Sequence, residues 1–291
     1  MRIETLERRR LLTTYLVEST IDDIDNYEVP DGVITLREAI EASNRNEPVG
    51  DAPAGQPAAE AVDEIVLAIG EQDLRLQQTL TVTDVVEIRS SGLAPMATLR
   101  APAGGRHMDI ALADTPDTGG DIGVTLSRLR LIGGRASHGG ALSIDEAAVV
   151  VLADSEVIAN EVQGVEPVDG AGDGVDRFGK GGGAIYNAGD LTIRRSTFAM
   201  NRSGVHGGVI DNRGQLSVVD SVFGSDTGLT NYLDGTKGAD EFAYEVTGTN
   251  DAEGDGGVIA NFGVLEVDSS QFVYNDARGD GGQSGMPAIF R

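Results

Sequence analysis

The chain has 291 residues, 22 of them Lys or Arg against 47 Asp or Glu, so its formal net charge is −25. That charge repels phosphate backbones and argues against nucleic acid as a partner, the absence of Cys excludes disulfides, thiolate catalysis and iron–sulfur clusters, and no run approaches the ~18 apolar residues of a membrane-spanning helix. Forty glycines and only 4% aromatics point to a narrow, regular core of small side chains cut by many turns.

Residues 1–30 read as an export or targeting segment and lead-in. Leu6-Glu-Arg-Arg-Arg-Leu-Leu12 is basic, but the apolar stretch Leu11–Val17 is short, carries two Thr and a Tyr, and is closed by Glu18. That is not the pattern of a standard signal peptide, and a frayed basic terminus is the plain alternative. Thr35-Leu-Arg-Glu38 is a capping box that predicts a helix over 35–44 with Leu36, Ala39 and Ile40 on one face. A lone helix in an otherwise β chain suits a cap over an open strand edge. Residues 44–61 are a polar Pro/Ala/Gly loop. Beyond it, Leu80–Thr83, Val85–Ile88, Met108–Leu112 and Val124–Ile132 are short alternating runs, as strands are.

A repeat dominates the rest. Gly182–Asn201, Gly207–Asp226 and Gly256–Asn275 align without gaps. Each opens with Gly-Gly, then Ile (Ile185, Ile210, Ile259), Asn (Asn187, Asn212, Asn261), Gly and Leu (Leu191, Leu216, Leu265). Each closes with Ser (Ser196, Ser221, Ser270), Phe (Phe198, Phe223, Phe272) and a final Asn201, Asp226 or Asn275. A degenerate copy runs from Gly139 to Asn160, and another starts at Gly281 and is incomplete. The offsets 182→207 and 256→281 are both 25 residues; Gly/Asp-rich insertions at 161–180 and 227–255 lengthen the others. Apolar spacing of two, with a period near 25, predicts an all-β fold, a right-handed parallel β-helix (solenoid) spanning 31–291 with a short N-terminal capping α-helix. Asn187, Asn212 and Asn261 are expected to form a ladder at a turn where Asn takes left-handed geometry, and Phe198, Phe223 and Phe272 an inward stack.

Two family resemblances accompany these motifs. Asp31–Asn44, containing Leu36-Arg-Glu-Ala39, together with Asp63–Leu67, resembles a bacterial surface-protein family whose Cys-Ser-Leu-Arg-Glu-Ala signature precedes a right-handed parallel β-helix; here Ile34-Thr35 stands where that family has Cys-Ser. Gly182-Gly-Ala-Ile185 and Phe-x-x-Asn (Phe198…Asn201, Phe272…Asn275) are similar to the repeats of chlamydial polymorphic outer-membrane proteins, from which Phe223…Asp226 departs. The segment at 6–12 is similar to an export motif of large planctomycete proteins, with Arg8 as a departure. Together they imply a secreted or surface-displayed protein and no particular chemistry.

No catalytic residue is assigned. Asp169, Asp173 and Asp176, separated largely by Gly, read as a solvated acidic loop and imply no cofactor; the alternative is a site for a hard cation, Ca²⁺, which such oxygens suit. Asp251, Glu253 and Asp255 form a weaker acidic group, and Arg177, Lys180, Arg194 and Arg195 supply nearby positive charge. His107, His138 and His206 are too far apart for a metal cluster, and the latter two, each before a Gly-Gly, read as stacked turn histidines. Tyr186, Phe262 and Tyr274 read as exposed contact residues. The expectation is a non-enzymatic exported or cell-surface structural or adhesive module, with stabilisation by calcium left open. It would hold a surface glycan or protein of unnamed identity and self-associate through its open C-terminal coil. The alternative is a polysaccharide lyase or glycoside hydrolase using acids of the insertions.

Overall fold

The computed structural model describes residues 13–58, 61–92, 95–112, 123–163, 180–224, 250–252, 256–273, 275–277 and 288–289. The basic motif at 6–12, Asp169, Asp173, Asp176, Arg177, Asp226, Glu253, Asp255 and Tyr274 lie outside them. The described residues hold one helix and 27 short strands in four sheets.

Sheet I stacks eight strands in chain order, from Thr14–Val17 and Asp63–Leu67 to Gln215–Val219 and Val264–Asp268. Sheet II also has eight, from Asp73–Arg75 to Gln271–Phe272 and Ala288–Ile289. Sheet III has six, Leu80–Val82, Met108–Ile110, Leu142–Ile144, Ile185–Asn187, Ile210–Asn212 and Ile259–Asn261. Sheet IV has five, from Arg135–Ala136 to Asp276–Ala277. Neighbouring strands are parallel, except that Ala288–Ile289 pairs antiparallel with Gln271–Phe272. From Val124 to Ala277 the described strands visit the sheets in one order: Val124–Ser127 (I), Leu129–Ile132 (II), Arg135–Ala136 (IV), Leu142–Ile144 (III), then Val149–Ala153 (I again).

Because side chains alternate faces along a strand and every register is whole, one residue of each strand falls directly above its counterpart. In sheet I this places Tyr15, Ile65, Ile88, Leu126, Leu152, Ile193 and Val218 in one column, all fully buried. The divergent first half therefore builds the same core as the repeats. In sheet II the rings of Phe198, Phe223 and Phe272 lie 4.7 and 4.8 Å apart and within 5° of parallel. That separation is the strand spacing, so backbone register sets the stacking geometry of the rings.

Three polar ladders run alongside. Asn187 Nδ2 donates to Asn212 Oδ1 at 2.7 Å, and Asn212 Nδ2 to Asn261 Oδ1 at 2.6 Å. The backbone amides of Ser155, Ser196 and Ser221 each donate to the next serine's Oγ at 3.1–3.2 Å. Each Oγ in turn donates to the carbonyl two residues back, as Ser196 does to Arg194 at 2.9 Å. The third ladder joins Asn160, Asn201, Asn250 and Asn275. Sequence alignment places Asp226 in that column; Asn250 occupies it, bonded to Asn201 and to Asn275. Glu161–Val162 and Asp251–Ala252, at the margins of the two insertions, are strands of sheet IV.

Left-handed backbone falls elsewhere than at the Asn187 column. Asp154, Arg195, Asp220 and Ser269 have φ of 46–51° or so by residue, 51, 46, 50 and 47° in turn, each immediately before a ladder serine. Ala159 and Met200 do the same before Asn160 and Asn201. Asn187, Asn212 and Asn261 instead end strands, where their amides bridge layers and leave the corner to the next residues.

The helix spans Leu36–Arg45 and starts at Thr35, whose Oγ1 accepts from Glu38 N while Glu38 Oε2 accepts from Thr35 N. Asn46, at φ 54°, ends it. Leu36, Ala39, Ile40 and Ala42 are buried against the first strands of sheets I and III. Arg37, also buried, makes a two-pronged pair with Asp22 at 2.7 and 2.8 Å and donates to Gln78 O. Leu36, Arg37 and Ala39 thus anchor the helix to the lead-in or the first layers, while Glu38 accepts from Thr35 N and Asp51 N at its start. No helix among the described residues is long and apolar enough to cross a membrane.

Candidate functional site

The side chains richest in chemistry converge on the outer side of sheet III. The middle residues of its strands, Asp109, Ser143, Tyr186, Asp211 and Ala260, form one in-register column. The residues just after the strands, Asp145, Ala188, Arg213 and Phe262, form a second, tied by Ala188 N to Ile144 O, Arg213 N to Asn187 O and Phe262 N to Asn212 O. The residues before the Gly-Gly turns, His138, Gly181 and His206, form a third. The glycines are required here: Gly182 has φ 77°, and a Cβ on it would sit 2.0 Å from Ile185 O.

These columns build a continuous run of rings and cations. His138 meets the Tyr186 ring edge-on at 5.1 Å. Lys180 Nζ stands 4.5 Å over that ring, and the Arg213 guanidinium lies 5.9 Å from it and 5.0 Å from the Phe262 ring. His206 meets Phe262 edge-on at 5.7 Å. Cations over ring faces are attracted by the ring quadrupole, so each contact fixes its neighbour. Tyr186 is therefore buried under Lys180 and Arg213, whereas Phe262 is 57% exposed. His138 and His206 do not stack on one another; the Gly181 layer separates them, and each packs on the aromatic of the following layer.

Two acid–base pairs lie on this face, Asp211 with Arg213 and Asp109 with Arg106. Asp211, fully buried, accepts from Gly181 N at 2.7 Å and holds Arg213 through Nε and Nη2, both at 3.2 Å. Arg106 Nη1 lies 3.1 Å from Asp109 Oδ1. Burial raises the Asp109 carboxyl above the usual range against the pull of Arg106, and burial lowers the Arg106 guanidinium. Burial, with the positive charges of Arg106 and Lys180, pulls His138 down to about 4, so it is neutral at pH 7. His107 is a core residue. Its Nε2 lies 3.0 Å from Leu99 O, and burial pulls it to about 4 as well.

Of the cations read from sequence, Lys180 belongs to this face, while Arg195 makes a two-pronged pair with Asp154 at 2.7 Å on a different corner. Among the described residues no group of three or more His, Cys, Asp and Glu is placed to hold a metal ion. Arg106, Asp109, Asp211 and Arg213 carry no motif. The available signal was position alone, since Asp211 and Arg213 flank the repeat residue Asn212. Comparison of the chain with protein-family models, with curated proteins and with solved structures gives no match.

Proposed function

We propose that the four sheets are the walls of one right-handed parallel β-helix, and that the chain is a non-enzymatic, exported or cell-surface structural or adhesive module. The observation that supports this reading is the unbroken set of side-chain ladders: Asn to Asn, Ser to Ser and Phe on Phe commit the side chains of successive turns to holding adjacent layers in register. A stack of this kind is a rigid scaffold with long lateral faces. On this reading Asp169, Asp173 and Asp176 are the candidates for holding Ca²⁺, and the C-terminal coil is the candidate for self-association.

The test is a panel of acidic and neutral polysaccharides incubated with the full chain, with and without Ca²⁺, followed by ultraviolet absorbance of unsaturated products and by reducing ends. Absence of turnover across the panel, with antibody labelling of the chain on intact cells of the source organism, is the expected result. Turnover on any substrate would replace this reading with a lyase or hydrolase.

A further inference from the structure

We propose that the fully buried Asp63 carboxylate, with the hydroxyls of Ser43 and Tyr15, holds a monovalent alkali cation, Na⁺ or K⁺, between the capping helix and the first layers of the stack. The inference is independent of the adhesive reading and of the acidic residues at 169–176. Three observations carry it.

The first is an unbalanced charge. Asp63 opens the second strand of sheet I and is fully buried. Both of its carboxylate oxygens accept from Gln56 N at 3.1 Å, and no Lys, Arg or His among the described residues pairs with it. Burial, with the negative charge of Asp84, raises its carboxyl above the usual range, as befits an acid lacking a counter-ion. A buried charge is paired or holds a metal ion, and one left alone is costly. The second is a pair of unpartnered oxygens. Ser43 Oγ and Tyr15 OH are both buried without a hydrogen-bond partner, and both face Asp63. Tyr15 pairs with Ile65, two residues beyond Asp63 on the same inner face, a diagonal step that a long side chain spans. Its phenol is pushed up by burial and by the Asp63 charge, and the Ser43 hydroxyl pulls the Asp63 carboxyl down. Hydroxyl and carboxylate oxygens are the ligands that hard cations take.

The third is the helix end. Ala42 and Ser43 belong to the last turn of Leu36–Arg45, where the carbonyl end of the dipole favours positive charge, as it does in alkali-ion sites built on helix C-termini. Arg45, in the same turn, is committed to Glu28 and Glu41. Gly55 draws its loop against this turn: a Cβ there would strike Asp63 Oδ2 and lie 2.8 Å from Ser43 Cα and 3.0 Å from Ala42 O. One carboxylate balances one positive charge, so the site suits a monovalent ion, whereas calcium sites gather several carboxylates.

The experiment is thermal melting of the full chain, followed by circular dichroism at pH 7 and about 0.15 M ionic strength, in NaCl, KCl or choline chloride. Choline is too large to enter, so the parent should melt about 2–4 °C higher in NaCl or KCl. Asp63→Asn should melt alike in all three salts. Tyr15→Phe, which keeps the ring and removes one oxygen, should lose part of the difference, and it provides the second variant should Asp63→Asn fail to fold. Arg195→Ala, on a distant corner, should keep the difference in full. A general response of a chain of net charge −25 to small cations would survive both substitutions, since each changes at most one charge. Equal midpoints of the parent in the three salts, or an advantage of Na⁺ and K⁺ undiminished in the two variants, would overturn the inference. A midpoint that rises with Ca²⁺ but not with Na⁺ or K⁺ would overturn it too, and would leave the calcium reading of 169–176 standing.

Discussion

Asn201 donates its Nδ2 to Asn250 Oδ1 at 3.2 Å, across 49 residues of chain. The equivalent step between Asn250 and Asn275 spans 25. The two differ by 24 residues, and Ser155 to Ser196 spans 41, which exceeds 25 by 16. The rungs therefore keep the same kind of partner whether 25, 41 or 49 residues of chain separate them.

Joining Ser225 directly to Asn250, which removes 226–249, makes Phe223-Gly-Ser-Asn250 match the spacing of Phe198-Ala-Met-Asn201. The shortened chain should fold cooperatively, with unfolding free energy within about 1 kcal/mol of the parent, since loop length enters only logarithmically. Urea denaturation followed by circular dichroism measures this; loss of a cooperative transition would mean that residues 226–249 are needed by the stack.

Asn212 is the middle rung of its ladder and is fully buried, bonded to Asn187, to Asn261 and to the carbonyl of Val264. Asn212→Ala takes an acceptor from the buried Asn187 amide and should cost about 1–3 kcal/mol. Asn261, at the exposed end, has less to lose on the same substitution. Equal losses in denaturant midpoint at the two positions would contradict the ladder as an energetic unit.

Breaking the buried Asp22–Arg37 pair leaves an uncompensated charge under the helix. Arg37→Ala should destabilise by about 3–5 kcal/mol. Arg37→Lys should recover only part, because one ammonium cannot span both carboxylate oxygens and Gln78 O together. Full recovery by Lys, read from urea midpoints, would show that charge alone and not the fork matters.

His107 and His138 are both pulled from 6.5 to about 4. In this window the unfolded chain binds protons that the folded chain refuses, so stability is intact above about 6.5 and falls as pH drops toward 4. The fully buried His107 sets a slope of up to roughly 1.4 kcal/mol per pH unit; half-buried His138 adds less. Imidazole titration by NMR should find both midpoints well below that of a free histidine, and a midpoint near 6.5 for His107 would contradict its burial.

The repeat was legible in the sequence wherever identity recurs in a column: Ile185, Ile210 and Ile259, or Phe198, Phe223 and Phe272, must be alike because each packs on its own copy. The sheet I column from Tyr15 to Val218 shows why the first half was fainter, since any apolar residue that fills the layer serves. The corners were misplaced because Asp154, Arg195, Asp220 and Ser269 share a backbone angle but not one side-chain type. The face of sheet III was hidden for the opposite reason. Asp145, Ala188, Arg213 and Phe262 occupy one column yet differ at every layer, and only the fold shows them to be neighbours.

The amide of each inner rung is oriented by its surroundings: Asn187 Nδ2 also donates to Gln215 O, and Asn212 Nδ2 to Val264 O. Their side-chain dipoles consequently point the same way, head to tail, and those of Asn160, Asn201 and Asn250 point with them. The molecule has a polar axis independent of its formal charges, with an acceptor, Asn187 Oδ1, buried and unbonded behind the first rung, where Ile144 occupies the preceding strand. Each amide polarises the one ahead of it, so Asn at position 144 would lengthen the line by one member and strengthen those already in it.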